Sequence, residues 1–159
     1  MCLKVGMLED CKILVTVGTT AFDGLIEFLD TTYKWPNAIF QIGPGRYIPT
    51  RHKYSRFINN LESEYEKYDL ILCHAGAGTI YNCLERGLKI VVVPNLERKD
   101  PHQIEIANYL KRKNYALVAK SFRDFDSVLQ KVANYQPEPY SKDVFNAREF
   151  ILDKILSVL

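Results

Sequence analysis

The stretch Asp69-Leu70-Ile71-Leu72-Cys73-His74-Ala75-Gly76-Ala77-Gly78-Thr79 joins an apolar run to a loop of small residues. Residues 69–73 are predicted to form a buried β-strand, because the run is short, apolar and followed by glycines. A helical pattern continues from about Thr79 to Arg86, and Gly87 is expected to end that helix. The segment therefore predicts a strand, a tight turn and a helix in direct succession.

A turn of this kind is suited to bind an anion. The first backbone N–H groups of a helix have no partner within the helix, and the positive end of the helix dipole lies beside them. Small residues allow a diphosphate to approach those groups closely. The loop is neither a Gly-Lys-Ser/Thr nucleotide loop nor a complete Gly-x-Gly-x-x-Gly fingerprint. A tight turn without any ligand is therefore an open alternative.

The rest of the chain alternates between strand and helix patterns, which is typical of a parallel sheet covered by helices. The predicted strands span residues 12–17, 38–42, 53–58, 89–93 and 115–119. The predicted helices span about residues 20–31, 61–67, 100–113, 122–133 and 141–159, with Asp100 as an N-cap. We therefore predict an α/β fold: a Rossmann-like parallel sheet with helices on both faces and a ligand site beyond the carboxyl ends of its strands.

The chain is predicted to hold one domain and a C-terminal extension. Residues 1–135 contain the sheet and its helices, and residues 136–159 contain a proline-rich linker and a final helix. That helix is expected to pack on its own sheet or on another chain, because it is unusually apolar. Its apolar residues are Phe145, Phe150, Ile151, Leu152, Ile155, Leu156 and Leu159.

Composition excludes several classes of protein. The chain has 159 residues, 47% of them hydrophobic and 25% charged, which is usual for one globular domain. A net charge of +2 gives no indication of nucleic-acid binding. Its four cysteines form no Cys-x-x-Cys pair, so neither a zinc site nor a disulfide framework is expected. The first residues lack the apolar run of a signal peptide and no stretch reaches the length of a membrane span, so we expect an intracellular protein.

Four ordered motifs resemble the C-terminal domain of glycosyltransferase family 28. They are residues 15–23 (VTVGTTAFD), residues 41–43 (QIG), the 74–79 loop, and residues 87–94 (GLKIVVVP) followed by His102-Gln103. The resemblance covers about residues 13–133 and is strongest to the stand-alone catalytic subunits. These occur in bacterial two-component exopolysaccharide or capsule glycosyltransferases and as the cytosolic subunit of the eukaryotic dolichol-linked GlcNAc transferase. It implies a single half-domain of a GT-B enzyme.

The resemblance also implies roles for particular residues. The diphosphate of a UDP-sugar is expected on Gly76, Ala77, Gly78 and Thr79, with no metal or other cofactor required. His74 is expected to contact a phosphate or the donor, although a structural role is equally open. The turn Gly18-Thr19-Thr20 is expected to face the cleft, the alternative being a plain helix N-cap. His102 and Gln103 are expected to recognise the hydroxyls of the donor sugar, the alternative being a solvated start of a helix.

One position departs from the family pattern. Many relatives have a glutamate that binds the ribose in the helix after the glycine loop, and the corresponding residue here is Asn82. An amide can still bond a ribose hydroxyl, but without the charge. Glu85 lies almost one helical turn further on and could substitute for it. UDP is the expected nucleotide, and the sequence leaves open which residue contacts its ribose.

By this resemblance the chain is the donor-binding subunit of an inverting UDP-sugar glycosyltransferase. A membrane-anchored partner subunit is expected to bind the acceptor, a polyprenyl-diphosphate-linked saccharide, to supply the base, and to hold the protein at the cytoplasmic face of a membrane. Arg46, Arg51, Lys53 and Arg56 lie in a stretch without acidic residues that could face anionic lipid. A solvated basic face is the commoner explanation of such a stretch. A non-enzymatic sugar-nucleotide-binding regulatory subunit is the main alternative. A dinucleotide-dependent oxidoreductase is disfavoured, because the glycine loop does not follow the first strand.

Overall fold

The computed structural model describes residues 8–97 and 101–141, and within them a single six-stranded sheet forms the centre of the molecule. The strands are β1 (Ile13–Thr16), β2 (Ala38–Gln41), β3 (Lys53–Ser55), β4 (Leu70–His74), β5 (Ile90–Val93) and β6 (Leu117–Val118). The helices are α1 (Asp23–Thr32), α2 (Leu61–Glu64), α3 (Ala77–Glu85), α4 (Pro101–Arg112) and α5 (Phe125–Leu129). Short 3-10 turns lie at Tyr65–Lys67, Phe122–Asp124 and Val132–Asn134.

All five strand pairs are parallel, and the strand order is β3-β2-β1-β4-β5-β6. The order reverses at β1, which pairs with β2 on one side and with β4 on the other. The carboxyl ends of β1 and β4 are therefore neighbours, with Thr16 opposite Cys73. A crevice opens at such a switch point in open α/β sheets. The predicted Rossmann-like parallel sheet is confirmed.

Helices cover both faces of the sheet, as predicted. Ile13 and Val15 point into a core completed by α1 and α5, whereas Leu14, between them, points into a core completed by α3 and α4. Successive strand residues are buried on opposite faces. This explains why the central strands β1, β4 and β5 are almost continuously apolar rather than alternating.

The observed elements are mostly shorter than predicted. The last strand keeps only two of the five predicted residues, and the predicted helix 122–133 consists of α5 with a 3-10 turn on each side. The spacing of Phe122, Phe125 and Val128 fits a 3-10 helix as well as an α-helix, so periodicity could not separate them. The helix after the glycine loop begins two residues earlier than predicted, at Ala77.

Gly87 ends α3 as predicted. Its φ angle is +65°, its N–H donates to Leu84 O at 3.0 Å, and the N–H of Leu88 donates to Cys83 O at 3.0 Å. This pair of bonds is the Schellman arrangement, which favours glycine because of its positive φ.

The linker after residue 135 packs against the domain. Tyr135 donates its hydroxyl proton to Asn114 O at 2.8 Å, the N–H of Glu138 donates to the same oxygen at 2.9 Å, and the ring of Tyr140 lies edge-on to Tyr115. The predicted helix over 141–159 and the predicted N-cap Asp100 fall outside the described residues, apart from residue 141. The division at residue 135 stays a prediction. Among the helices of residues 8–97 and 101–141, none has the length and apolarity needed to cross a membrane.

Candidate functional site

A cleft of about 890 Å³ opens at the carboxyl ends of β1 and β4. One wall comes from the turn after β1 and from the start of α3, and the other from the segment that leads into α2. The lining residues are Gly18, Thr19, Gln41, Phe57, Ile58, Asn60, Leu61, Glu62, Ser63, Tyr65, His74, Gly76, Ala77, Gly78, Thr79 and Arg86. Seven of the eleven predicted site residues are therefore brought together in one cleft: Gly18, Thr19, His74, Gly76, Ala77, Gly78 and Thr79.

The start of α3 forms the side of the cleft that is suited to bind an anion. Gly76 is the N-cap, and Ala77, Gly78 and Thr79 are the first three helical residues. Their N–H groups precede the first helical bond, which runs from Ile80 N to Gly76 O at 3.2 Å. Neither a side-chain cap nor an acidic residue occupies this end of the helix. These N–H groups and the helix dipole can therefore hold a phosphate.

His74 joins the two turns of the cleft. It ends β4, is 6% exposed, and its ring lies against both Gly18 and Gly76. A Cβ atom on Gly18 would lie 3.2 Å from Cε1 of His74, and a Cβ atom on Gly76 would collide with the ring. Gly18 also has a φ angle of +59°, which favours glycine independently. The ring thus lies at the floor of the cleft because both neighbours lack a side chain.

A buried polar chain connects the strand ends to the opposite wall. The hydroxyl Oγ1 of Thr16 accepts bonds from Gly18 N at 3.1 Å and from Nε2 of Gln41 at 3.0 Å. Oε1 of Gln41 in turn accepts the N–H of Ile58 at 2.9 Å. Gln41 therefore fixes the distance between the two walls. Residues 41–43 belong to one of the four sequence motifs, but the sequence alone does not indicate that Gln41 connects the two walls.

The opposite wall was missed by the sequence reasoning. Phe57 is 53% exposed beside the cleft, and Asn60, just before α2, has a φ angle of +52°. Tyr65, which is 3% exposed, bonds the side chain of Thr79 across the cleft, and burial raises the pKa of its hydroxyl. An exposed aromatic and a left-handed Asn before a helix are weak local signals. Only the tertiary fold places them opposite the glycine turn.

Four predicted site residues do not line the cleft: Thr20, Asn82, His102 and Gln103. Gln103 is 7% exposed, and its Oε1 accepts the N–H of Asn95 at 2.8 Å in the turn between β5 and α4. Asn95 in turn donates to Ala21 O at 3.0 Å. His102 is exposed on α4, 3.5 Å from the Glu105 carboxylate. The role of His102 and Gln103 in sugar recognition stays a prediction.

Asn82 is engaged within its own helix. Its Nδ2 donates to Gly78 O at 3.1 Å, and its Oδ1 accepts from Nη1 of Arg86 at 2.9 Å. Arg86, one turn further on, does line the cleft, and neither Asn82 nor Glu85 does.

The basic stretch of residues 46–56 is partly structural. Arg51 donates to Thr31 O at 2.6 Å, and Arg56 donates to Gly43 O at 3.3 Å and to Gly45 O at 2.9 Å. Two of the four predicted cations therefore brace loops of the protein itself.

The cysteines of the core are unreactive. Burial raises the pKa of Cys73 well above its usual value and that of Cys83 to about 12, so both thiols carry their protons at neutral pH. Across residues 8–97 and 101–141, no cluster of three or more His, Cys, Asp or Glu side chains is arranged to hold a metal ion.

The fold and the cleft define a Rossmann-like half-domain of the GT-B type, with an uncapped helix start at its switch point. Residues 12–144 match the model of the glycosyltransferase family 28 C-terminal domain. The chain therefore belongs to glycosyltransferase family 28 and corresponds to its C-terminal domain. This membership confirms the resemblance carried by the four motifs, and it gives no support to an oxidoreductase.

Curated relatives include subunits named UDP-N-acetylglucosamine transferase subunit ALG13. The human protein is 35% identical over 119 residues, which is 65% of this chain and 10% of the relative. The Yarrowia lipolytica protein is 31% identical over 134 residues, which is 73% of this chain and 66% of the relative. The chain thus spans about a tenth of the human relative and about two thirds of the yeast one.

Solved structures show the same fold. The crystal structure of MurG from Acinetobacter baumannii superposes with a TM-score of 0.57 at 21% identity, over 79% of this chain and 42% of that one. An NMR solution structure of ALG13 gives a TM-score of 0.54 at 19% identity, over 84% of this chain and 90% of that one. The match to less than half of MurG agrees with a single half of a two-domain GT-B architecture.

Proposed function

We propose that this chain binds the donor of a UDP-N-acetylglucosamine-dependent transferase that acts on a lipid-linked saccharide. Support for the donor comes from the family and from the names of the ALG13 relatives. Support for the acceptor class comes from a Shewanella woodyi relative, 26% identical over 145 residues, whose name specifies transfer to a pyrophosphoryl-undecaprenol-linked acceptor.

The assignment of a phosphate to this cleft rests on the presence of glycine at position 78. Gly18 and Gly76 are explained by the His74 ring, and Gly87 by its positive φ angle. A Cβ atom on Gly78 would meet nothing within 4 Å, and its φ angle is not positive. Glycine costs about 1 kcal/mol relative to alanine inside a helix. Packing among the described residues does not require glycine there, whereas close approach of a phosphate to the first turn of α3 does.

In the proposed reaction the diphosphate lies on Gly76, Ala77, Gly78 and Thr79, with His74 at the floor of the cleft beside it. The bond from the sugar carbon to the diphosphate oxygen breaks as an acceptor hydroxyl attacks from the opposite side, so the configuration inverts. Negative charge grows on the leaving UDP, and the N–H groups and dipole of α3 stabilise it. The proposal gives this role to the helix start rather than to a metal ion.

We further propose that the base and the acceptor site come from a membrane-anchored partner subunit, which holds this chain at the cytoplasmic face of a membrane. Co-expression with a neighbouring gene product that has one N-terminal membrane segment, followed by a UDP-release assay, tests this step. UDP binding without turnover in any such pair would favour the alternative of a non-enzymatic regulatory subunit.

The phosphate assignment is tested by Gly78→Asp against Gly78→Asn. Both side chains fit the open space, but only Asp places a negative charge in the first turn of α3. Asp also suits a helix N-terminus, so the fold should not be weakened. Calorimetry should show UDP affinity at least about tenfold lower in Gly78→Asp than in Gly78→Asn. Equal UDP affinity in the two variants would show that the phosphate does not bind at the first turn of α3.

A further inference from the structure

One face of α3 carries a connected set of polar groups. Gly78, Asn82 and Arg86 follow one another at four-residue spacing, so they lie on the same side of the helix. Asn82 donates to Gly78 O at 3.1 Å, and Nη1 of Arg86 donates to both Oδ1 and O of Asn82, each at 2.9 Å. The Arg86 side chain is therefore folded back along the helix, and its guanidinium lies level with residue 82.

As a result, the side chain at this side of the cleft is that of Arg86 and not that of Asn82. The side-chain donors and acceptor of Asn82 are turned to its own helix, whereas the guanidinium of Arg86 lines the cleft. Arg86 is the one lysine or arginine among the described lining residues, where Glu62 is the one carboxylate. Its Nε lies 3.7 Å from a carboxylate oxygen of Glu66. Within the described parts of the chain, its Nη2 amino group has no protein acceptor.

The position of the guanidinium matches one part of a nucleotide. Residue 82 lies about 7.5 Å along the helix axis from Ala77, at about 1.5 Å per residue. A diphosphate on the first turn of α3 occupies the space at the helix end, so the next group of an extended nucleoside diphosphate reaches the level of residue 82. That group is the ribose, whose hydroxyl oxygens can accept a bond from a guanidinium that has no acceptor of its own.

We propose that Arg86 donates through Nη2 to the 2′-hydroxyl of the bound nucleotide and makes the cleft selective for ribonucleotides over 2′-deoxyribonucleotides. Asn82 is then a positioning residue that holds the guanidinium in place. The inference rests on the proposed function, because it requires a nucleoside diphosphate on α3. It replaces Asn82 and Glu85, the two candidates that sequence reasoning had left open for the ribose.

Calorimetric titration of the 159-residue chain with UDP and with 2′-deoxy-UDP tests this inference. A bond from a charged donor predicts that the wild type prefers UDP by about tenfold to a hundredfold. Arg86→Met keeps the unbranched apolar stem of the side chain and removes its donors, so it should bind both nucleotides with nearly equal, weak affinity. Asn82→Ala releases the guanidinium and should lower the preference for UDP without abolishing it.

Arg112→Met is the matched control. Arg112 lies in the last turn of α4, with its guanidinium 5.8 Å from the ring centre of Tyr109, and it does not line the cleft. It should keep the wild-type preference, and melting temperatures compared across the variants identify any loss of fold. Equal affinity of the wild type for both nucleotides, or an unchanged preference in Arg86→Met, overturns the inference and leaves the proposed function in place. Failure of the wild type to bind UDP at all overturns both.

Discussion

Replacing Asp30 with asparagine should destabilise the protein through one buried carboxylate in α1. Asp30 is 0% exposed. Its Oδ1 accepts from the backbone N–H of Arg51 and from both the backbone N–H and Nδ1 of His52. Its Oδ2 accepts from the N–H and hydroxyl of Thr50 and from the hydroxyl of Tyr47. These bonds attach the loop between β2 and β3 to α1.

The same hydrogen bonds determine how much stability ionised Asp30 contributes and how that contribution depends on pH. Burial alone would raise the pKa of Asp30, but the hydrogen bonds from Thr50, His52, Arg51 and Tyr47 outweigh it and lower the pKa from 3.8 to about 2. Because the folded pKa lies below the unfolded one, ionised Asp30 stabilises the fold above about pH 4, and this stability is lost as the pH falls towards 2. The fall of this pKa from 3.8 to about 2 corresponds to about 2 kcal/mol of stability.

Asparagine would place an amide N–H₂ where Oδ2 now accepts donors, which leaves buried groups unsatisfied. We therefore expect Asp30→Asn to lose about 2–4 kcal/mol of unfolding free energy at pH 7. The assay is urea unfolding of the wild type, of Asp30→Asn and of Asp10→Asn, an exposed control, from pH 7 to pH 2. The difference between wild type and Asp30→Asn should shrink below about pH 4. A variant as stable as the wild type at pH 7, or a difference constant down to pH 2, would refute the reasoning.

Two further substitutions address the cleft and its surroundings. Gly76→Ala should lower the unfolding free energy by about 1–3 kcal/mol, because its Cβ displaces the buried His74 ring. Gly78→Ala, with open space around its Cβ, should lose no stability in the same urea unfolding assay. Gln103→Leu should cost about 1–3 kcal/mol, because the N–H of Asn95 loses its acceptor, with UDP affinity unchanged. Unchanged stability together with loss of UDP-N-acetylglucosamine affinity alone would instead make Gln103 a residue that recognises the sugar.

The parts of the fold that were predictable from sequence depend on local chemistry. The strand, turn and helix of residues 69–87 follow from an apolar run, from glycines and from a C-terminal glycine with positive φ, all of which act within a few residues. The parallel pairing of the strands was predictable once the alternation of strands and helices is recognised, whereas the order β3-β2-β1-β4-β5-β6 was not predicted. Element ends were less predictable, because 3-10 and α-helical spacing coincide after Ser121.

The rest of the cleft depends on contacts between distant residues. Phe57 and Tyr65 reach the glycine turn only because β3 and α2 pack beside β2 and α3, and nothing in their local sequence indicates this. Asn82 illustrates a second kind of limit. The position of Asn82 in the family motif suggested a contact with ribose. In the structure Arg86, four residues later, bonds the Asn82 side chain, and Arg86 rather than Asn82 lines the cleft.

Buried side chains of the core hold the two walls of the cleft in position. This determines how much the walls must be ordered when a ligand binds. Thr16 is 0% exposed and holds both Gly18 and Gln41, while Gln41 holds Ile58 on the far wall. Moving either wall would therefore break buried hydrogen bonds, each of which costs about 1–3 kcal/mol when a partner is left unsatisfied. A site held in this way is formed before the ligand arrives, so ordering of the walls takes little from the binding free energy. The polar residues at the ends of β1 and β2 are thus as much part of the proposed site as the glycines that we propose to contact the ligand.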